Sequence, residues 1–154
     1  MTDAVELDLA DEAATLELGR RLADGLRPGM LVALHGPLGA GKTTLARGML
    51  RGLGFEGRVK SPTYALVELY ELSRLDLYHF DFYRFGDPKE LIESGLQDAF
   101  NETNVCVVEW PERAGSLLPT ADLEVKLAMA NGARSALLTA QTENGRRCLR
   151  KLKT

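Results

Sequence analysis

The stretch Leu31-Val-Ala-Leu-His-Gly36-Pro-Leu-Gly39-Ala-Gly41-Lys42-Thr43-Thr44 decides the architecture of this 154-residue chain. Residues 30–35 are apolar and read as a buried strand ending at Gly36. A glycine-rich loop follows. Residues 42–53 then place Leu45, Met49, Leu50 and Leu53 on one helical face, and Gly54 ends the helix. Between strand and helix stands G-x-x-x-x-G-K-T, a phosphate-binding loop in the context the motif requires. Its glycines let the backbone approach phosphate oxygens, and successive N–H groups form an anion nest in front of the helix dipole. Gly36, Pro37, Leu38, Gly39, Ala40, Gly41, Lys42, Thr43 and Thr44 are therefore the candidate phosphate-binding residues. Lys42 would reach the β- and γ-phosphates, and the Thr43 hydroxyl would bind Mg²⁺.

Composition narrows the partners. With 45% apolar residues, positions 1–154 suffice for one domain with a sizeable core. A net charge of -3 argues against tight unaided binding to DNA or RNA, which needs a strong basic footprint. Cys106 and Cys148 form no metal-binding spacing, and such usage suits a reducing cytoplasm. The acidic N-terminus carries no signal-peptide pattern, and no apolar run reaches membrane-spanning length.

Outward from the loop, residues 11–26 read as an amphipathic helix. Leu16, Leu22, Ala23 and Leu26 share its inner face, and Asp8 or Asp11 caps its start. Tyr64 to Leu72 and Leu75 to Phe82 alternate and are joined by a short spacer, which predicts an antiparallel pair. In the second run Leu75, Leu77, His79 and Asp81 share a face, with Phe80 and Phe82 on the other. Short helices are expected at 88–93, 95–101 and 111–118, and an apolar strand at 104–108. Residues 121–129 and 134–141 flank Asn131-Gly132 as a hairpin. The tail, 146–154, holds five cations between Arg146 and Lys153. It is either a solvated end or helix tip, or a docking surface for RNA or an acidic partner. The sum is an α/β fold like that of P-loop NTPases: a mainly parallel central sheet, antiparallel edge strands and helices on both faces.

Three further stretches could complete the site. Glu109 ends a buried strand where such folds place a metal-binding carboxylate, usually Asp. Asp81 could hold a metal-bound water or act as general base; His79 could bond a phosphate or partner, and Arg84 could neutralise developing charge. Ser61-Pro-Thr63 lies where a switch Thr would sense the γ-phosphate, although by itself it is only a turn signal. An ATP-driven switch, a small kinase, a GTPase and a non-hydrolysing binder all remain as classes. A guanine-reading Asn-Lys-x-Asp is missing from the sequence, and only Arg113 lies between Glu109 and Arg134, so no Arg-rich kinase lid is evident.

Taken together, Gly36 to Thr44, Lys60-Ser-Pro-Thr-Tyr64, Tyr78-His-Phe-Asp-Phe-Tyr-Arg84 and Val108-Glu-Trp110 resemble the TsaE (YjeE) family in order and spacing, over nearly the whole chain. The resemblance implies a Mg²⁺-dependent ATPase for the threonylcarbamoyladenosine modification of tRNA. Such an ATPase works with TsaB and TsaD, its ATP cycle resetting that pair between turnovers, and it meets tRNA only through them. It implies Lys42, Asp81 and Glu109 as catalytic residues, and Thr43 and Glu109 at the metal. Ser61, Thr63, His79, Asp81, Arg84 and Trp110 would lie in switch-like segments or beside the site. Glu12 and Arg134 are matched to residues near the adenosine. Pro37 departs from the family, which often has an acidic residue there.

Overall fold

The computed structural model describes residues 3–62 and 65–153. Its sheet has seven strands: β1 (Ala4–Leu9), β2 (Leu31–His35), β3 (Val67–Glu71), β4 (Asp76–Asp81), β5 (Asn104–Glu109), β6 (Leu123–Ala130) and β7 (Ala133–Ala140). Their order is β1-β7-β6-β2-β5-β4-β3. The four central strands, β6, β2, β5 and β4, run parallel, whereas β3, β7 and β1 add antiparallel. β2 is buried between β5 and β6, which explains its unbroken apolar sequence.

On one face the sheet is covered by α1 (Glu12–Ala23), α2 (Lys42–Gly52) and α4 (Glu143–Leu152). Leu22, Leu45, Met49 and Leu50 of α1 and α2 pack there on Val32, Leu34, Val107 and Val125. On the other face Phe80, Phe82 and Val108 pack with Leu91 of α3 (Lys89–Glu93) and Ala114 of the 3-10 segment Pro111–Leu117. The alternation read along β4 thus divides its residues between the two cores as expected.

α1 and α2 approach at glycines. A Cβ on Gly48 would stand 2.3 Å from the carbonyl oxygen of Leu16, and one on Gly19 would stand 2.4 Å from that of Leu45. Each obstacle is backbone, so a methyl group can fit only if a whole helix shifts. Gly48→Ala is expected to destabilise the fold by about 1–3 kcal/mol, despite Ala's better helix propensity. Urea denaturation followed by circular dichroism reads this as a lower midpoint.

The structure changes the sequence reading at three places. Leu18, not Leu16, is the leucine that α1 buries near its middle, while Leu16 stays partly exposed. Asp11 caps α1, its Oδ1 accepting from Ala14 N–H at 2.8 Å. Asp8 instead sits in β1, an element the alternation of Val5, Leu7 and Leu9 completes only once β7 pairs with it. The basic tail is α4, capped by Thr142, and it buries Cys148, Leu149 and Leu152. Much of its charge is engaged within the chain. Arg146 and Arg150 pair with Glu143, and Arg147 and Lys151 donate to the carbonyls of Gly25 and Asp24 at the end of α1. Among the described residues no helix is long and apolar enough to cross a membrane.

Candidate functional site

The glycine-rich loop lies at the carboxyl end of β2, where open α/β sheets bind ligands. Gly36 has φ +149°, and a Cβ there would meet the Leu127 carbonyl oxygen at 2.7 Å. Gly41, at φ +107°, enters α2 with no side chain capping the helix, so side chains leave its first amides unclaimed. Lys42 follows and is buried. Its ammonium donates to the Gly36 carbonyl and lies 3.8 Å from the centre of the Trp110 ring. Burial pulls the Lys42 pKa down, and Glu109, Asp81 and Glu112 oppose that shift.

Parallel pairing brings the carboxylates alongside. β5 matches Glu109 with Leu34 of β2 and with Asp81 of β4. Glu109 and Asp81 are both buried. Thr43 Oγ1 donates to Glu109 Oε2 at 3.0 Å. Asp81 Oδ1 accepts from Tyr83 N–H at 2.9 Å. The residue after Glu109 is Trp110, held in left-handed backbone at φ +57°, which turns its ring back over Lys42 and against Tyr83, ring centroids 4.9 Å apart.

These groups surround an open cavity of about 300 Å³. Lys42, Thr43, Asp81, Glu109 and Trp110 line its floor, with Leu38, Gly39, Gly41 and Thr44 of the loop region. Glu12 at the start of α1 and Arg134 in β7 line it as well, so residues more than a hundred positions apart meet at one rim. Glu12 is ion-paired with Arg47 at 2.7 Å. A cleft of about 340 Å³ at the opposite end of the strands is lined by Glu102 and Asp122 and, among the described residues, by no Lys, Arg or His, so it offers a phosphate no side-chain cation.

Some expected residues fall elsewhere. His79 is fully buried beneath the site, its Nε2 at 2.6 Å from Glu109 Oε2, so it bonds a carboxylate and not a phosphate or partner. Ser61 and Arg84 are exposed and do not line the cavity. Thr63 lies outside the described residues. Tyr83 is the residue the sequence reading passed over. It sits in the same motif as Asp81, and only the fold shows that its N–H and its ring serve Asp81 and Trp110.

The donor set fits a Mg²⁺-nucleotide. Two oxygens in adjacent octahedral positions with bonds of roughly 2.0–2.1 Å stand about 2.9 Å apart. The 3.0 Å between Thr43 Oγ1 and Glu109 Oε2 matches that spacing. No cluster of three His, Cys, Asp or Glu side chains forms a metal cage among the described residues.

Trp110 is the only tryptophan in the sequence. Because its ring covers the lysine, occupation of the cavity by nucleotide is expected to change tryptophan emission in a saturable way. Titration with a slowly hydrolysed ATP analogue measures this directly.

Comparison with known proteins follows the same lines. The sequence model of the family described as threonylcarbamoyl adenosine biosynthesis protein TsaE matches residues 9–136. The chain is 45% identical over 143 residues to the tRNA threonylcarbamoyladenosine biosynthesis protein TsaE of Haemophilus influenzae, covering 90% of each chain. It is 37% identical over 116 residues to that of Bacillus subtilis, covering 75% of this chain and 72% of the relative. The crystal structure of YdiB from Bacillus subtilis superposes with a TM-score of 0.85 at 27% identity, covering 99% of this chain and 96% of that one. With the family model matched over residues 9–136 and a relative 45% identical over nine-tenths of both chains, the chain belongs to the TsaE family.

Proposed function

We propose that this protein is a Mg²⁺-dependent ATPase that serves threonylcarbamoyladenosine modification of tRNA by acting on a TsaB–TsaD complex. The observation that carries the reading is the Thr43–Glu109 pair at 3.0 Å beside Lys42 in a single cavity. Lys42 exchanges the Gly36 carbonyl for phosphate oxygens, and the amides of the loop and of the start of α2 hold the rest of the phosphate chain. Thr43 and Glu109 hold the metal. With Mg²⁺ held by these two residues, charge on the terminal phosphates would be neutralised. Asp81, fixed by the Tyr83 N–H, takes a proton from, or orients, water at the same floor. Glu12 and Arg134 flank the nucleoside end.

The pathway assignment rests on the family and on the names of the relatives. An acidic chain with much of its C-terminal charge engaged in α4 suits indirect contact with tRNA through partners. The test is ATP hydrolysis measured alone, with TsaB and TsaD, and with tRNA added. Hydrolysis should be slow alone and rise with the pair. Phosphorylation of a small metabolite at a rate well above ATP hydrolysis would instead make the protein a kinase.

A further inference from the structure

We infer that His79 is a positioning residue that locks the Glu109 carboxylate in its metal-binding orientation; the inference rests on the Mg²⁺-nucleotide reading above. Glu109 stands where P-loop folds ordinarily carry the shorter Asp. The extra methylene adds a rotatable bond, so the carboxylate can swing and a ligand position is lost unless something fixes it. His79 does this. In the parallel register it pairs with Val107, two residues before Glu109, and so shares the sheet face of Glu109 one step down the strand. Its Nε2 lies 2.6 Å from Glu109 Oε2, the same oxygen that accepts from Thr43 at 3.0 Å.

Two features separate this from ordinary packing of a core histidine. His79 is fully buried, yet its Nδ1 is without a hydrogen-bond partner among the described residues. An apolar residue of similar size would avoid that cost, so the site tolerates an orphan atom to keep the Nε2–H. The carboxylate is also gripped from two sides: Thr43 from the phosphate loop and His79 from β4 converge on one oxygen and leave few orientations open.

His79→Leu keeps volume and removes the donor, whereas His79→Gln keeps an N–H donor at a similar reach. Both are compared with the wild type by tryptophan emission during nucleotide titration, with and without Mg²⁺, and by thermal melts that certify folding. His79→Leu is expected to leave Mg²⁺-free nucleotide affinity within about 3-fold and to raise the half-saturating Mg²⁺ concentration about 10–100-fold. His79→Gln should recover most of that shift. In a Glu109→Ala background, His79→Leu should add no further shift. Folded His79→Leu with wild-type Mg²⁺ dependence overturns the inference, as does a full further shift in the Glu109→Ala background. If the Leu variant does not fold, the Gln variant decides: Mg²⁺ dependence near wild type upholds the inference, and loss like that of Glu109→Ala overturns it. A wild type whose nucleotide binding ignores Mg²⁺ overturns both this inference and the functional reading beneath it. A responsive wild type with an equally responsive Leu variant overturns the inference alone.

Discussion

Lys42→Ala is expected to weaken nucleotide binding by about 100- to 1,000-fold, a loss of roughly 3–4 kcal/mol. The size follows from position. The ammonium is buried, so its attraction to phosphate is little screened. Burial lowers its pKa, Glu109, Asp81 and Glu112 oppose that shift, and a phosphate chain adds more charge of the sign that favours the ammonium. Stability should not fall in parallel. Ala continues α2 well, and its introduction removes a buried charge from a site where burial disfavours it. Isothermal calorimetry for binding and a thermal melt for stability separate the two effects. Tight binding by a folded Lys42→Ala protein would place the phosphates away from this loop.

Glu109→Ala should behave differently. Hydrolysis is expected to drop by at least about 100-fold, the scale for removing a group that stabilises developing charge. Nucleotide binding without Mg²⁺ should hold or tighten, because the change removes a carboxylate that would repel phosphate. Steady-state kinetics paired with Mg²⁺-free titration reads this split. Unchanged hydrolysis would transfer the metal role to Asp81, which lies beside Glu109 across the β4–β5 pairing.

The legible part of the fold is the part written locally. The phosphate loop, β2 and α2 are contiguous in sequence. The β3–β4 pair and the β6–β7 hairpin announce themselves by alternation around short turns. What was illegible depends on partners distant in the chain. β1 is a strand because β7 pairs with it 130 residues later. α4 has apolar residues at helical spacing, but five neighbouring cations obscure them until α1 supplies the surface that buries Cys148 and Leu149. The site divides similarly. Lys42 and Thr43 at the start of α2 and Glu109 at the end of β5 could be named as candidates from residue type and local pattern, and the structure places all three on one cavity. The attachment of His79 to Glu109 requires the parallel register of β4 and β5, and the turn of Trp110 over Lys42 requires a left-handed backbone that a non-glycine residue seldom adopts.

The pairing of β1 with β7 has a consequence for the ribosome. Among the described residues, the strands paired with β2 (β5 and β6) and with β1 (β7) are all translated after them. The glycine-rich loop after β2 therefore emerges long before the sheet that anchors it is complete. The first strand must wait, unpaired, until residues 134–139 arrive. Closure then happens late and over long separations, the regime in which folding is slow and exposed strand edges invite wrong partners. The cavity inherits that schedule. Its rim joins Glu12 to Arg134, so a nascent chain cannot complete this cavity until β7 has been translated.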